Sequence, residues 1–129
     1  CVMVNSDKKP KFTQEERADM IRRSTAYLPN VVVETSDGLL VDYADRFENP
    51  IVVRGLRAVS DFEYEFMMAL TNKKINPDRD TMFLTATQKY TFLSSSVVKE
   101  LASYGADLSP FVPCEIIDDI MARAAKINP

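Results

Sequence analysis

IVVRGLRAVSDFEYEFMMALTNKKINPDRDTMFLTA, residues 51–86, reads as a strand, a helix and a second strand. The stretch NPIVVRG (49–55) is β-branched, with Pro50 at its first positions, where a strand tolerates proline. Ser60 and Glu63 have the spacing of a capping box, which predicts a long helix over residues 60–75. DTMFLTA (80–86) is the next strand. Two strands joined by such a helix pair in parallel through a right-handed crossover. The join carries Arg54, Gly55 and Arg57 at the carboxyl end of the first strand. That is either an ordinary turn with surface charges or the floor of an anion site.

The same alternation extends in both directions. Upstream, CVMV (1–4) is a short apolar strand and NSDKKPKF a polar loop broken by Pro10. Thr13 and Glu16 open a helix over residues 13–28, with Ala18, Ile21, Thr25 and Leu28 on its expected inner face. NVVVETS (30–36) reads as a second strand and GLLVDYADRF (38–47) as a short helix. Downstream, TQKYTFL is a loop, SSSVVKELASYG a helix stopping at Gly105, and a last helix follows two prolines and runs to about residue 126. The order is βαβαβαβα with a tail helix. It implies an α/β fold, a parallel sheet with helices on both faces, in one domain over residues 1–129. FMMAL (66–70) is apolar almost all round, as expected of core or a subunit interface.

Composition narrows the function classes. Apolar residues make up 46% of the 129 residues and charged residues 27%, ordinary for a globular chain. A net charge of −3 gives no electrostatic reason to expect nucleic acid or an anionic membrane. No apolar run approaches the roughly 20 residues of a membrane span, and no signal-peptide pattern is seen. Cys1 and Cys114 make no disulfide framework, so a cytoplasmic location is expected. Histidine is absent, which removes a Ser/His/Asp constellation and the commonest nitrogen ligand for metals.

Parallel α/β sheets bind ligands at the carboxyl ends of their strands. After the first strand stand Lys8 and Lys9, which either hold a phosphate or belong to a solvated loop. After the third, Gly55 allows a tight turn or a close approach to ligand. The flanking arginines either match phosphate oxygens or pair with Asp61, Glu63 or Glu65. After the fourth, Ser94, Ser95 and Ser96 open a helix whose free N–H groups favour an anion; one serine suffices as a cap. Tyr90 and Phe92 either stack on a base or pack in the core. Glu63 and Glu65, two apart on a helix, face different ways and make a poor metal pair. These strand ends point to a nucleotide or a phosphorylated metabolite.

SDKKPKFTQEER, VVRGLRAVSDFEYEFMMALTNKKINP and TMFLTATQKYTFLSSSVVKELASYGADLSPFVP together resemble the phosphopantetheine adenylyltransferase family of bacterial coenzyme A synthesis, over nearly all of the chain. The resemblance implies a Rossmann-like nucleotidyltransferase, usually hexameric. It transfers the adenylyl group of ATP to 4′-phosphopantetheine with Mg²⁺. It gives Lys8 to the acceptor phosphate and the transition state, Leu40 to the pantetheine pocket and Arg54 to the acceptor. Gly55, Leu56 and Arg57 go to ATP, with Arg57 sharing the catalytic role, and Glu65 to adenosine. The loop Tyr90, Thr91, Phe92, Leu93, Ser94, Ser95 and Ser96 would close over ATP. Tyr90 stands where the family often has tryptophan.

The family opens with a strand, a helix and a Gly-His-type motif whose histidine stabilises the transition state. The present sequence is read as starting at that family's second strand, with those elements upstream. The family's first strand is central in its sheet, and each backbone group left unpaired beside it would cost about 1–3 kcal/mol. Two alternatives accompany this reading: a nucleotide-binding remnant without catalysis, and a related nucleotidyltransferase with another acceptor.

Overall fold

The computed structural model describes residues 1–4 and 10–125. Strands and helices alternate as expected, and both strand pairings are parallel. The chain divides into two compact units, Cys1–Asp37 with Leu93–Pro129, and Gly38–Phe92.

In the first unit β1 (Val2–Met3) pairs in parallel with β2 (Thr35–Ser36). The expected strand over residues 30–36 is thus confined to its last two positions. In this register the residues before Glu34 run past the Cys1 end of β1, so Val31 and Val32 have no ladder partner among the described residues and lie exposed. Helix α1 (Gln14–Ser24) starts on the predicted capping box: Thr13 Oγ1 accepts from the Glu16 N–H, and Glu16 accepts from the Thr13 N–H. Its Gln14 side chain donates to the carbonyls of Val2 (2.8 Å) and Ser36 (3.0 Å), fastening the helix start to both strands. The inner face is narrower than expected. Ala18 is fully buried, whereas Ile21 and Leu28 are exposed; residue 28 lies beyond the helix end at Ser24.

Helices α4 (Ser95–Ser103) and α5 (Ile117–Ala125) enclose the core of this unit, formed by Val98, Ala102, Leu108 and Ala124. Two alanines among these four let the helices approach closely. Gly105 takes φ +70° just past α4, the left-handed conformation that ends a helix without steric cost. Two arginines tie α1 to α5. Arg23 pairs with Asp19 (2.9 Å) and Asp119 (2.5 Å). Arg123 donates to the Lys11 carbonyl (2.8 Å), pairs with Glu16 and lies 4.9 Å from the Phe12 ring centroid.

The second unit holds α2 (Leu40–Ala44), β3 (Ile51–Leu56), α3 (Val59–Ile75) and β4 (Asp80–Thr85). Strands β3 and β4 pair over their whole length, from Ile51 opposite Asp80 to Leu56 opposite Thr85. Phe62 on α3 meets Phe83 on β4 edge-on at 6.1 Å. Helix α3 begins two residues earlier than Ser60 as cap would require. Ala58 is the N-cap and makes no side-chain cap bond. Asp61, third in the helix, turns its carboxylate back onto the Arg57 N–H (3.3 Å), so this acid serves the exposed helix start instead of Glu63. Burial of residues 66–70 is not found: Phe66, Met67, Met68 and Leu70 are all exposed.

Candidate functional site

Strand alternation decides where Arg54 goes. Val52, Arg54 and Leu56 lie on the half-buried side of β3, while Ile51, Val53 and Gly55 lie on the exposed side. Arg54 there meets Glu65 of α3 in a two-pronged pair, Nε to Oε2 at 2.5 Å and Nη2 to Oε1 at 2.7 Å. This fork is the strong form of an arginine–carboxylate contact, and it fixes both side chains. Hydrogen bonding to Glu65 raises the Arg54 pKa further. Glu63 is exposed, as its position two residues away on the helix requires.

The tight turn allowed for at Gly55 is not present at that residue. Gly55 is extended inside β3, opposite Leu84, and the strand continues through Leu56. The chain turns at Arg57 and Ala58 instead. A Cβ at Gly55 would meet nothing within 4 Å, so the missing side chain leaves the backbone open on that face. Arg57 is exposed and clamps Asp61, Nε to Oδ2 at 3.0 Å. That hydrogen bond, more than any other contact, holds the Asp61 carboxyl below its ordinary pKa. Leu40 is the half-buried first residue of α2. Tyr90 closes a short 3-10 turn with Lys89 over its ring at 5.2 Å, and Thr91 donates to the Thr87 carbonyl at 3.2 Å. Phe92, exposed, ends this unit.

In the first unit, half-buried Leu93 packs against the core and leads into the serines. Ser94 is the N-cap of α4, its Oγ accepting from the Val97 N–H at 3.2 Å. Capping is therefore complete with one serine, and Ser95 and Ser96 are exposed at the helix start. Both line a cavity of about 600 Å³ together with Lys11, Phe12, Arg17 and Lys99. Sequence reading missed Lys11, Arg17 and Lys99. Lys99 carried a usable signal, since it follows Ser95 by four residues and so shares its helix face. Lys8 lies outside the described residues.

Comparison with known proteins identifies the family. The cytidylyltransferase-like family matches residues 1–101. A phosphopantetheine adenylyltransferase of Dictyoglomus thermophilum is 56% identical over 122 residues, covering 95% of this chain and 74% of the relative. One from Finegoldia magna is 50% identical, covering 95% and 76%. One from Caldanaerobacter subterraneus is 47% identical, covering 98% and 79%. The chain belongs to the phosphopantetheine adenylyltransferase family. It is a nucleotidyltransferase, and its α/β order of parallel strands is that of a Rossmann-like domain. In this member of the phosphopantetheine adenylyltransferases, the candidate residues at the β3 end form two arginine–carboxylate pairs, and those at the α4 start border a cationic cavity. No helix among the described residues is long and apolar enough to cross a membrane. Cys1 and Cys114 are free and exposed.

Proposed function

We propose that the chain transfers the adenylyl group of ATP to 4′-phosphopantetheine, giving dephospho-coenzyme A and pyrophosphate. The observation that carries this is the 47–56% identity to relatives of that name, over almost the whole of this chain. In the reaction an oxygen of the acceptor phosphate attacks the α-phosphorus of ATP in line. The bond to the β-phosphate breaks and pyrophosphate departs with the electron pair. No covalent enzyme intermediate is required. The chain's task is to position two polyanions and offset charge on the transferring phosphoryl oxygens.

Lys8 and Arg54 serve the acceptor in this reading, with Leu40 against its pantetheine arm. Arg57 serves ATP and exchanges Asp61 for a phosphate when the nucleotide arrives. Gly55 and Leu56 present open backbone to the nucleotide. Glu65 orients Arg54 in the geometry described and is the family's adenosine contact. Residues 90–96 cover ATP. Among the described residues no three His, Cys, Asp or Glu side chains gather as a metal site. Mg²⁺ then fits as an ion carried by the nucleotide phosphates, the common way this metal is held, where it neutralises phosphate charge. A cytoplasmic, hexameric enzyme completes the proposal; the exposed apolar side of α3 is available for subunit contact.

Pyrophosphate release from ATP and 4′-phosphopantetheine by the purified protein tests it. Lys8→Ala should chiefly lower kcat and Arg57→Ala chiefly raise KM for ATP. Absence of pyrophosphate release, or full activity in both variants, refutes the assignment.

A further inference from the structure

Arg17 differs from Arg23 and Arg123 of the same unit. Arg23 and Arg123 both hold carboxylates. The Arg17 Nε is buried with no hydrogen-bond partner among the described residues. A buried guanidinium N–H without an acceptor is costly, and the most favourable remedy is an anionic oxygen.

Its surroundings supply the rest of an anion site. Arg17 lines the cavity of about 600 Å³ with Lys11, Lys99, Ser95 and Ser96, and no carboxylate is among its lining residues within the described part of the chain. Among the described residues three cationic side chains therefore face one space with no carboxylate beside them, in a chain whose net charge is −3. Another cavity of the unit, about 170 Å³, behaves oppositely. There Arg23 and Arg123 are balanced by Glu16, Asp19 and Asp119. The backbone N–H groups of Ser95 and Ser96 are the first two of α4, where a helix supplies no carbonyl acceptor, and the Ser94 hydroxyl caps Val97. Their hydroxyls are not used in the cap.

We propose that Arg17, with Lys99, is a further anion-binding residue of this enzyme and holds oxygens of a polyphosphate beside Ser95 and Ser96, the serines already given to ATP. The ligand is the polyphosphate end of a nucleotide or free pyrophosphate. A single phosphate neutralises only part of the charge of three cationic side chains, which favours a ligand with more than one phosphate group. The choice of nucleotide rests on the adenylyl-transfer reading; the anion site itself does not.

The test is calorimetric titration of the full chain with inorganic pyrophosphate, and in parallel with inorganic phosphate. Arg17→Gln should weaken pyrophosphate binding roughly tenfold or more, the size of a lost charge-assisted hydrogen bond. Arg17→Lys should restore part of it. Lys99→Gln should give a smaller loss and reads the same site should Arg17→Gln not fold. KM for ATP should rise with the pyrophosphate Kd, while KM for phosphopantetheine stays constant. Unchanged pyrophosphate affinity in a folded Arg17→Gln or in Lys99→Gln overturns the proposal, as does phosphate binding as tightly as pyrophosphate. If the wild type releases no pyrophosphate from ATP and phosphopantetheine yet these variants lose pyrophosphate binding, the adenylyl-transfer reading fails and the anion site stands. If activity is present and binding is unaltered, the reverse holds.

Discussion

Gly55→Ala separates the demands of folding from those of ligand binding at one atom. The residue is extended within β3, its φ lies outside the left-handed range, and an added Cβ has nothing within 4 Å. The folded state therefore accepts alanine without strain, and the unfolded chain loses freedom that glycine alone provides. The expected gain is about 0.4–1 kcal/mol, which raises Tm by roughly 1–5 °C for a chain of this size. A nucleotide lying against the open backbone would meet the new methyl group directly. KM for ATP should then rise about tenfold, the effect of a clash worth about 1.4 kcal/mol, with KM for phosphopantetheine little changed. Thermal melts followed by circular dichroism, together with pyrophosphate-release kinetics at varied ATP, measure both. A Tm lowered by several degrees would refute the reasoning about space. A raised Tm with unchanged KM for ATP would refute the close approach of the nucleotide.

Glu65→Gln should remove most of the fork on Arg54. With side-chain exposures of 42% for Arg54 and 15% for Glu65, the cost is that of a half-screened pair, about 1–2 kcal/mol by double-mutant cycle with Arg54→Gln; a coupling near zero contradicts the fork. Acid should destabilise the fold through Asp61, Glu16 and Asp107. The Arg57 hydrogen bond lowers the first, the Thr13 N–H the second and the Ser109 N–H the third. Carboxyls depressed in the folded state stabilise it above their ordinary values of 3.8 to 4.5 and lose that contribution as pH falls through the lower folded values. Tm should thus fall as pH drops below these ordinary values, and Asp61→Asn should flatten the fall; a pH-independent Tm there contradicts it.

What could be read from sequence was local. The Thr13–Glu16 box predicted the start of α1 because both bonds close within one turn. Gly105 likewise marked the end of α4 through its own φ. The identical spacing at Ser60 and Glu63 misled by two residues, because Asp61 reaches back to Arg57, a competition that spacing does not encode. The valines at 31–33 have strand propensity, but a ladder needs a partner in register, and β1 offers only two paired positions. Arg54 and Arg57 were legible as candidates from their place after an apolar run. Which acid each would hold required the helix phase of α3, which sets Glu65 towards Arg54. Arg17 was invisible for another reason. Nothing in TQEERADM distinguishes a cation facing a cavity from one facing water until α4, some eighty residues on, is packed beside it.

The two units differ in how their chain is threaded, and this has a consequence for the life of each molecule. Gly38–Phe92 is one continuous stretch, whereas the other unit joins residues 1–37 to residues beyond 92. During synthesis the continuous unit can close as soon as β4 has emerged. Helix α1 must wait, since its arginine ties to α5 join residues 96 and 107 positions apart in sequence. The entropy of closing so long a loop grows only logarithmically, so the delay is set by emergence of the chain more than by free energy. The cationic cavity between α1 and α4 is therefore among the last features to form. A nascent chain acquires its hold on polyphosphate late, after the arginine pairs at the end of β3 are already in place.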